Sequence, residues 1–121
     1  VERIRFIEHR GKRILYMDFS EMNAPGEALA ELEKARQVIA QEQPNSLLTL
    51  TDVTGTRYDG DIIKAFQALA EHNKPFVRAA ASVTRTPLQL VALRASAVLS
   101  RRKLEAFDDL EHAKEWLVAQ E

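Results

Sequence analysis

A strand-like run, a polar connection and an amphipathic helix follow one another at 47–66, in LLTLTDVTGTRYDGDIIKAF. The same alternation recurs on both sides of it. That order restricts the fold more than any other feature. Two strands joined through a helix of 12 or so residues form a crossover, and crossovers make parallel neighbours. A chain of 121 residues holding several such units is predicted to be one domain, because domains cluster around roughly 100–150 residues.

From the amino end, 3–9 and 12–19 alternate apolar and polar residues on either side of Arg10-Gly11. A glycine in a two-residue connection signals a hairpin, so the first strand is expected to run antiparallel to the second. In the second strand Leu15, Met17 and Phe19 share one face and Ile14, Tyr16 and Asp18 the other. Asn23-Ala24-Pro25 reads as a helix start, with Ala28, Leu32, Ala35 and Ile39 as the buried stripe of a helix reaching about Gln41. A third strand at 46–53 leads to a helix at 60–73 that buries Ile62, Ile63, Phe66 and Leu69. The fourth strand, 76–83, is read with Val77, Ala79, Ala81 and Val83 on one face. Pro87 opens a helix that ends near the cations Arg101, Arg102 and Lys103, charges that suit a helix carboxyl terminus. A short strand at 104–107 and a last helix capped by Asp108 or Asp109 complete the order, with Leu110, Ala113, Trp116 and Leu117 turned inward.

The predicted architecture is therefore α/β, in the order β-β-α-β-α-β-α-β-α. It is a five-stranded mixed sheet, the first strand antiparallel and the rest mainly parallel. Fully covered parallel strands usually read as continuous apolar runs. Here Thr49, Thr51, Arg78 and Ser82 mark a poorer face. Helices are accordingly expected mainly on one face, with the other partly covered.

Composition removes several functions. Without cysteine there are no disulfides, thiolate metal sites or cysteine nucleophile, which fits a cytoplasmic protein. Seventeen basic residues against eighteen acidic ones oppose a nonspecific nucleic-acid role, which draws its affinity from positive charge. No apolar run approaches the roughly 20 residues of a membrane span, and the first residues lack a signal-peptide core.

With these elements in place, the chain resembles the SpoIIAA-like branch of the STAS superfamily, small domains related to anti-sigma factor antagonists and the cytoplasmic domains of sulfate transporters. The resemblance is carried by SLLTLTDVTGTRYDGDIIKAF, by the strand after HNKPF and by the closing LEAFDDLEHAKEWL. It implies a five-stranded mixed sheet and a part in protein–protein regulation. Some relatives in the wider STAS and SEC14-like group are associated with small molecules or lipids.

The best-known STAS mechanism phosphorylates a serine just after an aspartate, at the amino end of the helix that follows the central strand. A phosphate there lies among free helix N–H groups and changes binding through charge and bulk. Matching that motif places Asp59 on the aspartate and Gly60 where the serine would stand. The acceptor hydroxyl is missing. Thr54 and Thr56 lie nearby at another offset, and Asp52 stands at the strand end. Asp59 is read as the helix cap.

Asp18, Asp52 and Asp108 all fall at carboxyl ends of strands, where open α/β sheets bind ligands. Aspartates there also begin turns and cap helices, and no lysine of the phosphoacceptor type follows the fifth strand. His9, His72 and His112 are far apart and lack the clustering a metal requires. No serine stands in a nucleophile elbow and there is no glycine-rich phosphate loop. The sequence assigns no catalytic residue, cofactor or metal.

The helix opened by Pro87 carries two stripes. Leu88, Val91, Ala92, Ala95, Val98 and Leu99 form a core stripe, and Leu90, Leu93 and Ala97 lie nearly opposite. A helix packed on a sheet from one side does not bury both. Either another part of the chain covers the second stripe or a partner does. Arg94 and Arg101 flank it, and the patch is too short for a lipid surface to rank above a dimer or protein partner. The expected function is a non-catalytic interaction or regulatory domain that forms a homodimer. The alternative is a carrier of a lipid or small apolar ligand, with Arg78, Arg85 or Arg94 on a head group.

Overall fold

The computed structural model describes residues 2–22, 25–55, 60–84 and 104–120. The described elements are β1 (Ile4–His9), β2 (Lys12–Asp18), α1 (Pro25–Ile39), β3 (Leu47–Asp52), α2 (Gly60–Asn73), β4 (Val77–Val83), β5 (Leu104–Phe107) and α3 (Leu110–Val118). The segment expected to form the helix opened by Pro87 lies outside the described residues.

The five strands lie in the order β1-β2-β3-β4-β5. β1 is antiparallel to β2, and every other neighbouring pair is parallel. The hairpin forms because Arg10 and Gly11 both hold positive φ, 52° and 78°. That pairing matches the right-handed twist of the flanking strands.

Both faces of the sheet are packed. On one, Leu15, Met17 and Phe19 from β2 and its end meet Ala28, Leu32, Ala35 and Ile39 of α1 and Leu69 of α2. Phe19 is fully buried and meets Phe66 edge-on, with ring centres 5.1 Å apart. On the other, Ile14, Leu48, Leu50, Ala79, Ala81 and Val83 pack with Ala113 and Leu117 of α3. Each large side chain buried in this way contributes about 1.5–3 kcal/mol relative to exposure.

Two of the three described helices share a face, in keeping with the expected architecture, but the faces differ from expectation in two details. Thr49 pairs with Leu15, on the face that α1 and α2 pack, and is buried, so the threonine-bearing face of β3 is a packed one. A central strand tolerates a hydroxyl there because the methyl still packs. The second detail is Val77. The β3–β4 register shifts by one residue, Leu47 opposing Val77 and Leu48 opposing Ala79, which leaves Arg78 as the extra residue. A bulge reverses the alternation. Val77 consequently packs with the α1/α2 core while Ala79 joins the α3 core.

Candidate functional site

The strands end in register along one line. Asp18 opposes Asp52, Asp52 opposes Val83 and Val83 opposes Phe107. The hydrogen-bond ladder continues one residue further, through Phe19 N–H to the Asp52 carbonyl, Val53 N–H to Val83 and Thr84 N–H to Phe107, each at 2.8–2.9 Å. This carboxyl-end rim is where an open sheet presents side chains to a ligand or partner. It divides into unlike halves. At β4 and β5, Val83 and Phe107 lie in and against the apolar core, with Phe107 5.9 Å from the ring of Trp116. At β2 and β3 the same row carries two carboxylates.

Both carboxylates hold their own turns. Asp18 Oδ1 accepts from Ser20 N–H at 3.0 Å, and the Ser20 hydroxyl donates to the same oxygen. Asp52 Oδ1 accepts from Thr54 N–H at 2.9 Å. In each case the side chain binds a backbone group two residues on, the habit that makes aspartate a turn former. Asp109 does the same for α3, accepting from Glu111 N–H at 2.7 Å. Asp108, the third carboxylate read at a strand end, follows β5, with β4 between that strand and β3. Among the described residues no three acidic or histidine side chains gather to hold a metal ion.

Arg3 ties the first turn down. Its Nη1 donates to the carbonyls of Asp18 (3.1 Å) and Ser20 (2.9 Å), and the guanidinium lies 3.7 Å from Asp18 and 3.4 Å from Glu27. The two turns then lock together, with Glu21 N–H donating to the Thr54 carbonyl at 2.9 Å. Glu21 holds a positive φ of 56° and Gly55 one of 73°. The Glu21 carboxylate lies so close over Gly55 that a Cβ there would overlap it.

One row below the carboxylates is Tyr16, partly exposed beside the α3 core. The Arg5 guanidinium lies 4.8 Å from its ring centre, a cation–π contact. Burial, reinforced by the negative charges of Asp18 and Asp52, pushes the Tyr16 phenol above its usual value.

No family model matches the sequence, and no curated protein matches it. Among solved structures, the chain is similar to an uncharacterised protein of the DUF3478 family from Shewanella loihica PV-4, described as having a SpoIIAA-like fold. The two share 15% identity, with 94% of this chain and 91% of that one covered and a TM-score of 0.77. The fold is SpoIIAA-like.

Within the SpoIIAA-like frame the predicted site residues fall in different places. Asp52 and Thr54 sit on the rim as expected, and Gly60 is the first residue of α2. Thr56 and Asp59 lie outside the described residues, as do Arg85 and the whole stripe of Leu90, Leu93, Arg94, Ala97 and Arg101. Arg78 is exposed at the β4 bulge. It stands five positions before Val83, roughly 16 Å of strand at about 3.3 Å per residue, so Arg78 and the rim are at opposite ends of β4. The three histidines are held apart. His9 meets Glu115 at 3.2 Å, His72 meets Asn73 at 3.0 Å and His112 meets the cap Asp109 at 3.0 Å.

Arg3, Tyr16, Ser20 and Glu21 were not marked by the sequence as rim residues. Arg3 is 15 and 17 positions from its two carbonyl partners, and no local pattern announces such a contact. Glu21 carries no glycine or asparagine signal for its positive φ. The Asp-x-Ser at 18–20 and Asp-x-Thr at 52–54 were the legible sign, since both spell the same turn. No helix among the described residues is long and apolar enough to cross a membrane.

Proposed function

We propose that this chain is a non-catalytic, STAS-like interaction or regulatory domain that works without the serine switch and associates with itself. The observation that carries this reading is the use made of the rim carboxylates. Asp18, Asp52 and Asp109 each accept a backbone N–H two residues on, so they act as turn and cap formers. A general acid or base needs a carboxyl aimed at a substrate proton, whereas these oxygens are aimed at the chain. The SpoIIAA-like fold supports the same reading, and Gly60 at the start of α2 supplies no hydroxyl for phosphate.

Self-association rests on the second stripe of the sequence, Leu90, Leu93 and Ala97, with Arg94 and Arg101 beside it. The test is sedimentation of the wild type against Leu90→Glu combined with Leu93→Glu. A dimer that becomes a folded monomer supports the proposal. An unchanged sedimentation profile removes the dimer, and loss of the circular-dichroism signal assigns the stripe to the core.

A lipid or small apolar ligand is the second reading, favoured by one observation. Thr49, Thr51, Ala80, Ser82 and Ala106 alternate onto the same face of β3, β4 and β5, a continuous row of small side chains. Native mass spectrometry of the purified protein separates the two readings. A co-purifying mass supports the carrier, and a clean dimeric mass supports the interaction domain.

A further inference from the structure

We draw no further inference here: the strongest candidate, the outer edge of β1 at the margin of the sheet, carries nothing because nothing in the structure shows what covers it.

Discussion

The two faces of the sheet are built to different plans. Under α1 and α2 the packing runs from Ile4 on β1 to Leu47 on β3, and the same face of β3 carries the buried Thr49. The opposite face relies on α3, nine residues long, which packs on β3, β4 and β5. Beyond its reach the row turns polar, with Tyr16, Asp18 and Asp52 along β2 and β3. Along this row Tyr16 and Asp18 are half-buried and Asp52 is buried.

Truncation in each core breaks the comparison most directly. Phe19→Ala should cost about 3–5 kcal/mol and Leu117→Ala about 2–5 kcal/mol, since both side chains are fully buried. Urea unfolding would show a lower midpoint in one transition for both variants. A Leu117→Ala midpoint equal to that of the wild type would mean that α3 frays independently and that the second face is no core.

Two glycines come next. Gly11 and Gly55 hold similar positive φ, 78° and 73°, so alanine at either should lose about 1–2 kcal/mol to the left-handed backbone. Nothing surrounds a Cβ at Gly11, whereas at Gly55 it meets the Glu21 carboxylate. Gly55→Ala should therefore be the more destabilising, and Glu21→Ala should remove the excess. Equal losses in the two alanine variants would sever the proposed lock between the rim turns.

The carboxylates themselves should matter less. Asp18→Ala and Asp52→Ala each remove a turn acceptor worth about 0.5–1.5 kcal/mol. Strained functional groups behave the other way, because their removal commonly stabilises. A rise in melting temperature for either variant would move that aspartate from turn former to functional site.

The smallest effect is at high pH. Tyr16 has a folded pKa above its reference of 10.0, chiefly through burial. Its contribution to stability is complete below the unfolded value and is lost as pH rises through the folded one. Tyr16→Phe should flatten that part of the alkaline unfolding curve. An unaltered curve would show that the polar half of the face is as wet as free solvent.

Much of this was legible from local pattern. The hairpin at Arg10-Gly11 needs only two residues able to hold positive φ, and α1 declared its buried stripe through the spacing of Ala28, Leu32, Ala35 and Ile39. The cap at Asp109 and the turns at Asp18 and Asp52 follow from short-range hydrogen bonding. The face of Val77 was not legible. Its alternation with Ala79 is broken by a register shift against β3, and a strand does not record the bulge its neighbour imposes.

What the sequence determined by itself is the order of the described elements, the hairpin, the turn chemistry and the residue standing at position 60. All of these depend on interactions between residues a few positions apart, which a linear pattern records. Only the tertiary structure decided which face each helix closes, that Asp18 and Asp52 become neighbours while Asp108 does not, and that Arg3 and Glu21 fasten the rim. Those facts depend on strand order and register across separations of 15 residues and more, where burial and shape choose the partner and local spacing carries no record of the choice.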